Sequence, residues 1–146
     1  MKRILSAFLI LGLLLSFNTK AMALSLELDG IAQNVSATLY NGTTYVSLRA
    51  VSLLLCPEAA VSWENNTAYV RSSNLTISAR PWAYYIDANG RKLFLKDGVR
   101  LVNGTTMVAV RVLAKATGAS VTWNASTQMV SLTSGNGTIT SGSDYY

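Results

Sequence analysis

The 146-residue chain contains no histidine, one cysteine and two prolines, and only 13% of its residues are charged. Without histidine it cannot form a serine–histidine triad, use an imidazole as a general base or bind a metal through imidazole. A single cysteine, Cys56, excludes an internal disulfide framework and a zinc site made of several thiolates. Cys56 follows three leucines, which favours a buried, unreactive thiol. The composition therefore argues against an enzyme, a bound metal or another cofactor.

The positive charge of the chain does not indicate a nucleic-acid binder. The chain has 12 Lys+Arg and 7 Asp+Glu, a formal net charge of +5. Three of the basic residues, Lys2, Arg3 and Lys20, lie in a segment that we expect to be removed. Without these three, nine basic residues face seven acidic ones. A net charge of +2 is too small for an electrostatic surface that binds nucleic acid.

The first 23 residues have the pattern of a secretory signal peptide. A basic start at residues 1–3 precedes an apolar run at residues 4–17, and Ala21-Met22-Ala23 matches a signal-peptidase site. Fourteen apolar residues extend about 21 Å as a helix, less than the roughly 30 Å of a bilayer core, which disfavours a membrane anchor. We expect cleavage after Ala23, a secreted and cell-envelope-associated protein, and no stable membrane span after cleavage.

A repeated pattern organises the rest of the chain. Residues 40–51 and residues 102–113 share Asn, Gly, Thr, Thr, Val and Arg at an offset of 62, and each is followed by a Val-x-Trp segment. The Asn-Gly pairs favour type I′ hairpin turns, because both residues tolerate a positive φ. Each copy therefore predicts a β-hairpin, a short helix and a second β-hairpin, over about residues 31–72 and 99–132.

A further hairpin is predicted between the two copies, where Asn89-Gly90 separates two segments rich in strand-forming residues. The two helices, about residues 49–56 and 112–117, are too short to be stable alone and must pack on a sheet. Pro57 ends the first helix and Gly118 the second. The sequence thus predicts a strand-rich α+β fold with two hairpin–helix–hairpin pseudo-repeats and a central hairpin.

The composition changes at residue 133. Eleven of the last fourteen residues are Ser, Thr, Gly, Asn or Asp, which is typical of a flexible linker. We therefore assign residues 24–132 to the folded domain. We assign residues 133–146 to a linker that leads to a downstream domain outside this sequence.

The pattern Asn-Gly-x-x-x-Val-x-x-Arg, the short helix and the Val-x-Trp segment with its polar turn resemble the copper amine oxidase N-terminal-like domain. This is a stalk module of secreted proteins of Gram-positive bacteria, and the resemblance covers roughly residues 30–132. Family members usually carry proline where Ser47 and Ala109 stand. The second copy and the Ser/Gly tract also resemble proteins in which the module precedes a spore-cortex-lytic-type cell-wall hydrolase. The resemblance implies no copper chemistry here, since the copper ligands of the oxidases are histidines.

The resemblance and the missing catalytic groups predict a non-catalytic stalk or positioning module at the N-terminal side of a peptidoglycan hydrolase. The full-length parent would then be the enzyme, and this chain would not. Its expected partners are the cell wall and the downstream hydrolase domain in cis. The alternative is a module that binds cell-wall glycan.

Four repeated side chains predict a structural role. Arg49 and Arg111 stand at equivalent strand-to-helix junctions. Each could bind a ligand or could hydrogen-bond loop carbonyls and hold its helix to the hairpin, and recurrence in both copies favours the structural role. For Trp63 and Trp123, recurrence favours core packing over stacking on a sugar. The other residues expected in the core are Val46, Leu48, Val51, Leu54, Val61, Val108, Val110, Leu113 and Val121.

The central hairpin carries the candidate glycan-binding residues. Trp82, Tyr84 and Tyr85 have no counterpart in the repeat and lie near cations that include Arg80, Arg91 and Lys92. Aromatic rings mixed with cations suit a glycan or an anionic wall polymer, although a half-buried hairpin gives the same pattern. Asp87 and Asp97 are the carboxylates that this hairpin could bring together. Both adjoin turns, which favours a structural role over a catalytic pair.

Overall fold

The computed structural model of the protein describes residues 24–135. These residues form twelve strands and two helices. The strands are β1 (Leu24–Leu28), β2 (Ile31–Tyr40), β3 (Thr43–Ser47), β4 (Ala60–Glu64), β5 (Thr67–Arg71), β6 (Thr76–Ala79), β7 (Tyr85–Ala88), β8 (Arg91–Phe94), β9 (Arg100–Val102), β10 (Thr105–Ala109), β11 (Ser120–Asn124) and β12 (Met129–Thr133). The helices are α1 (Leu48–Leu55) and α2 (Val110–Thr117). The predicted strand-rich α+β fold is confirmed.

The larger sheet has seven strands in the order β11-β12-β1-β2-β3-β10-β9. Strands β1 and β12 run parallel, and the other neighbouring pairs are antiparallel. The β1–β2 hairpin turns at Asp29 and Gly30, whose φ angles of 50° and 83° are both positive. The sequence reasoning did not identify this hairpin, although Asp-Gly favours the same turn as Asn-Gly.

The smaller sheet is a five-stranded antiparallel meander, β4 to β8. Its two tightest turns have positive φ at both central residues, Asn65 with Asn66 and Asn89 with Gly90. Asn41-Gly42 and Asn103-Gly104 in the larger sheet do the same. Each predicted hairpin is therefore present, because Asn and Gly adopt the left-handed conformation at low cost.

The two sequence copies have the same order of elements but place their second hairpins differently. The first copy gives β2, β3, α1, β4 and β5, and the second gives β9, β10, α2, β11 and β12. The β4–β5 hairpin joins the smaller sheet, whereas the β11–β12 hairpin stays in the larger one. The first hairpins of the two copies meet in the larger sheet, where β3 pairs with β10.

The helix ends follow local chemistry. The Ser47 hydroxyl accepts a hydrogen bond from the Ala50 amide at 3.1 Å and caps α1, whereas Ala109 precedes α2 without a side-chain cap. Gly118 ends α2 in the left-handed conformation with φ 78°, as predicted. Helix α2 begins two residues before the predicted Val112.

The core lies between the two sheets and the helices. Both helices contact β3 and β10, and α2 also contacts β8 of the smaller sheet. Six of the predicted core residues are buried: Val46, Leu48, Val51, Val108, Val110 and Leu113. Three others are partly buried against the same cluster: Leu54, Val61 and Val121.

The placement of the two repeated tryptophans in the core is wrong. Trp63 is 51% exposed and Trp123 is 39% exposed. Trp63 lies on β4 and Trp123 on β11, and each of these strands is the edge strand of its sheet. Because no further strand covers an edge, one flank of each indole faces solvent.

The folded part extends past the predicted boundary at residue 132. Thr133 is the last residue of β12, and the Ser134 amide and hydroxyl donate to the Asp29 carboxylate at 2.9 Å and 2.6 Å. The predicted signal peptide and the linker beyond Gly135 lie outside the described residues. Within residues 24–135, neither helix is long and apolar enough to cross a membrane.

Candidate functional site

Trp82 occupies a tight turn between the central strands. The Ala83 amide donates to the Arg80 carbonyl at 3.1 Å, and Trp82 itself has φ 73°. Because proline fixes φ near −65°, Pro81 followed by a positive φ defines a type II turn. The Trp82 amide also donates to the Val99 carbonyl at 2.7 Å, which ties the turn to the loop before β9.

This turn holds a bulky residue where glycine is preferred. A positive φ in a large side chain costs about 1–3 kcal/mol and is kept only where the surroundings impose it. The indole of Trp82 does not repay this cost by burial, since it is 61% exposed. An exposed and conformationally strained tryptophan is the strongest feature of the predicted central surface.

The structure separates the other predicted glycan-binding residues. Tyr85 packs against Phe94 with ring centroids 6.1 Å apart, and the Lys92 ammonium lies 4.8 Å from the Tyr85 ring. Tyr84 is exposed and lies before β7, outside the strand. Arg91 shares the face of the buried Leu93 in β8, because side chains two residues apart in a strand point to the same face. Tyr85 and Lys92 therefore lie together, Arg91 lies on the other face, and glycan binding by this group stays a prediction.

The two aspartates of the central segment have structural partners. Asp87 accepts a hydrogen bond from the Gly90 amide at 2.8 Å and holds the Asn89-Gly90 turn. Asp97 accepts one from the Asn41 side chain at 3.4 Å. Neither arrangement is that of a paired general acid and base.

An aromatic cluster that the sequence reasoning missed fastens the β2–β3 turn to the loop after β8. The Arg100 guanidinium lies 3.5 Å from the centroid of the Tyr40 ring, and the Tyr40 and Tyr45 rings meet edge to face. The buried Tyr45 hydroxyl donates to the Gly98 carbonyl at 2.7 Å. Burial, with the nearby Asp97 charge, raises the pKa of Tyr45 to about 12.

Arg49 and Arg111 each occupy the second position of a helix, and both are exposed. Among residues 24–135, neither guanidinium makes a hydrogen bond, an ion pair or a contact with an aromatic ring. The hydrogen bonds that would fasten each helix to its hairpin are thus missing from the described part of the chain.

Two grooves instead bring each arginine together with a repeated tryptophan. The Arg111 groove has a volume of about 380 Å³ and is lined by Leu39, Gly42, Thr43, Thr44, Ala109, Val110, Arg111, Val121, Thr122, Trp123 and Val130. The Arg49 groove has a volume of about 310 Å³ and is lined by Ser47, Leu48, Arg49, Val61, Ser62, Trp63, Ala68, Gly104, Thr105 and Thr106. The repeat was visible in the sequence. The grooves were not, because each contains residues of both copies that come together only when β3 pairs with β10.

The described residues carry few groups suited to metal binding or nucleophilic attack. No cluster of His, Cys, Asp or Glu among residues 24–135 could hold a metal ion. Burial and the Glu58 charge raise the pKa of the Cys56 thiol, which keeps it protonated and unreactive. Each groove is lined by a single charged side chain, its arginine.

One comparison with known proteins gives a match. Neither a curated protein nor a solved structure matches the chain significantly. The model of the copper amine oxidase N-terminal domain family matches residues 27–139, which include nearly all of the folded part. The domain of this family is a non-catalytic accessory domain. The chain therefore belongs to the copper amine oxidase N-terminal domain family.

Proposed function

We propose that this chain is the non-catalytic positioning module of a secreted cell-envelope protein of a Gram-positive bacterium, in front of a domain that hydrolyses peptidoglycan. The observation that carries the proposal is the family match over residues 27–139, because the domain of this family is a non-catalytic accessory domain. The signal-peptide pattern of residues 1–23 supports export. The Ser/Gly-rich composition after residue 133 supports a linker to a further domain.

A positioning module has to keep its shape between the parts that it separates. The two sheets and both helices contribute to one buried cluster, which extends from Leu26 in β1 to Leu132 in β12. Since the first and the last strands both belong to this core, the ends of the domain are fixed relative to each other. This rigidity suits a spacer between a wall contact and a hydrolase.

The first experiment is to read the genomic frame beyond Tyr146 and to express the complete protein with and without residues 24–135. We expect the deletion to slow hydrolysis of insoluble peptidoglycan by about tenfold or more, since a positioning module raises the local concentration of the enzyme at the wall. Hydrolysis of soluble wall fragments should be unchanged. A frame without a hydrolase domain would contradict the proposal, as would release of wall fragments by the isolated module.

A second function, binding of cell-wall glycan, is favoured by Trp82. Its positive φ and its exposure are the combination expected of a side chain kept for a contact outside the domain. The aromatic face of Trp82 would stack on a sugar ring, with Arg80 in the same turn as a neighbouring cation.

A pull-down with insoluble peptidoglycan tests this second function. Trp82→Gly should reduce retention of the module at low salt, because it removes the aromatic face and leaves the turn relaxed. Ile31→Ser is the matched control, since Ile31 is an exposed apolar residue on another surface. Equal retention of Trp82→Gly and the unaltered module would contradict wall binding through this turn.

A further inference from the structure

The Arg111 groove combines side chains from both sequence copies. Thr43 and Thr44 come from the Asn-Gly turn of the first copy, and Arg111 and Trp123 come from the second. The antiparallel pairing of β3 with β10 brings them together. If the register of the Val46–Val108 pair is continued past the end of β10, Arg111 comes opposite Thr43. With Thr122, three threonines, an arginine and a tryptophan thus line one groove.

The Arg49 groove has a similar composition with the copies exchanged. Thr105 and Thr106 come from the turn of the second copy, and Arg49 and Trp63 come from the first. If the same register is continued past the end of β3, Arg49 comes opposite Thr105. The domain therefore carries two grooves in which the same side-chain types are arranged on opposite sides of the Val46–Val108 pair.

The charge of the grooves favours an anionic ligand. In each groove the arginine is the single charged lining residue, and no carboxylate lines either groove. Neither guanidinium has a hydrogen-bond or ion-pair partner among residues 24–135. A planar guanidinium binds a carboxylate or a phosphate through two parallel hydrogen bonds. The single positive charge of each groove matches the single negative charge of a carboxylate.

The uncharged part of each groove favours a sugar ring. Trp63 and Trp123 are half exposed, and an exposed indole face offers a flat apolar surface for the C–H face of a pyranose. Thr43 and Thr44 are consecutive strand residues, as are Thr105 and Thr106, so one threonine side chain of each pair faces its groove. Its hydroxyl can donate to and accept from a sugar hydroxyl. The groove volumes lie at the lower end of the roughly 300–1,000 Å³ of small-ligand sites, which suits one ring rather than several.

We propose that each groove binds one carboxylate-bearing pyranose, so that the domain holds an acidic glycan at two points. The indole stacks on the ring, the arginine pairs with the carboxylate, and one threonine hydroxyl hydrogen-bonds a ring hydroxyl. The inference goes beyond the proposed positioning function and does not depend on a downstream hydrolase. It also uses residues other than those of the Trp82 turn.

The three tryptophans of the chain allow a direct test, since each indole N–H gives its own signal in a ¹H–¹⁵N NMR spectrum. The probe is N-acetylmuramic acid, and the control is N-acetylglucosamine, which has the same ring without the carboxylate. We expect N-acetylmuramic acid to shift the Trp63 and Trp123 indole signals, whether or not Trp82 also responds. N-acetylglucosamine should shift them only at much higher concentration.

Single substitutions then assign each groove. Arg111→Gln should weaken binding at Trp123 by about tenfold or more and leave Trp63 unaffected, and Arg49→Gln should do the reverse. Lys96→Gln, which removes an exposed cation outside both grooves, is the matched control and should change neither. The spectra also report whether each variant is folded.

Three results would overturn the proposal. The first is a shift of Trp82 alone, which would place the sugar at the central turn. The second is an equal response to the two sugars, which would remove the role of the carboxylate. The third is unchanged binding by the folded Arg49→Gln and Arg111→Gln variants, or no shift with the unaltered domain.

Discussion

Val46 in β3 lies directly opposite Val108 in β10, and the two valines are also equivalent residues of the two sequence copies. Their neighbours follow the same rule, since Ser47 faces Met107 and Tyr45 faces Ala109. In sequence, Ser47 is equivalent to Ala109 and Tyr45 to Met107, so the pairing exchanges the equivalent positions on the two sides of the valine pair. The two strands are thus related by a local two-fold axis through the valine pair, and this relation places a groove on each side.

The valine pair makes a stability prediction. Both side chains are fully buried, so Val46→Ala and Val108→Ala should each lower the free energy of unfolding by about 1.5–3 kcal/mol. Because the two residues are cross-strand partners, the double variant should deviate from additivity by about 0.5 kcal/mol or more. Urea denaturation of all four proteins measures this, and strictly additive losses would contradict direct contact.

Two serines at helix α1 should respond with opposite signs. Ser52 is buried, and its hydroxyl has no hydrogen-bond partner among the described residues, so Ser52→Ala should raise the free energy of unfolding by about 1 kcal/mol. Ser47 caps the helix, so Ser47→Ala should lower it by about 1 kcal/mol. Thermal unfolding compares them, and a loss of stability in Ser52→Ala would show that its hydroxyl is satisfied.

Relief of the strained turn should stabilise the domain. Trp82→Gly should raise the free energy of unfolding by about 1 kcal/mol, since glycine adopts φ 73° without a steric cost. Gly98→Ala in the facing loop is the control and should lower stability, because its φ is 76° and a Cβ atom would lie 3.2 Å from the Ala83 carbonyl oxygen. Chemical denaturation that ranked the two variants the other way would refute the strain.

Alkaline pH should unfold the domain through Tyr45. The pKa of Tyr45 is raised from 10.0 to about 12, chiefly by burial, so the folded state holds the phenolic proton more tightly than the unfolded state. The stabilisation is complete below pH 10 and is lost as the pH rises towards 12. Tyr45→Phe should remove this pH dependence and also lower stability at neutral pH by about 1 kcal/mol, since the Gly98 carbonyl loses its donor. Unfolding curves at stepwise higher pH test both effects.

Acid should weaken the contact between the β1–β2 turn and residue 134. Hydrogen bonds from the Ser134 hydroxyl and amide lower the pKa of the Asp29 carboxyl below 3.8. The unfolded state therefore takes up the proton first as the pH falls, so this stabilisation is present above 3.8 and is lost as the pH falls through the lower folded value. In Asp29→Asn, the free energy of unfolding should fall less steeply as the pH is lowered below 3.8. The same steepness in the variant and the unaltered domain would show that the contact is not formed.

The local features of the fold were predictable because their causes are local. Asn-Gly pairs define their own turns, so the hairpins at Asn41, Asn89 and Asn103 follow from dipeptide chemistry. Gly118 likewise ends its helix through its own left-handed conformation. The pairing of β1 with β12 joins residues about one hundred positions apart, and no short-range pattern carries that information.

The site was less predictable, because its residues belong to different copies. Recurrence suggested that Trp63 and Trp123 pack inward, but recurrence is equally compatible with a repeated binding surface. What decides between the two is that β4 and β11 are edge strands, and edge position is a property of the whole sheet. Pro81 carried a signal for a turn, since proline favours the second position of type I and type II turns, but only the type II turn gives Trp82 its positive φ.

The parallel pairing of β1 with β12 also decides how the domain bears tension. Leu24 begins β1 at one end of the pair, and Thr133 ends β12 at the other. A pull on these two residues acts along both strands and loads their hydrogen bonds together in shear, whereas a hairpin pulled at its open end separates one bond at a time. Forced unfolding is governed by the unfolding rate, and shear across a buried strand pair keeps that rate low. We therefore expect the domain to resist a pull between its two ends better than a pull that opens one of its hairpins.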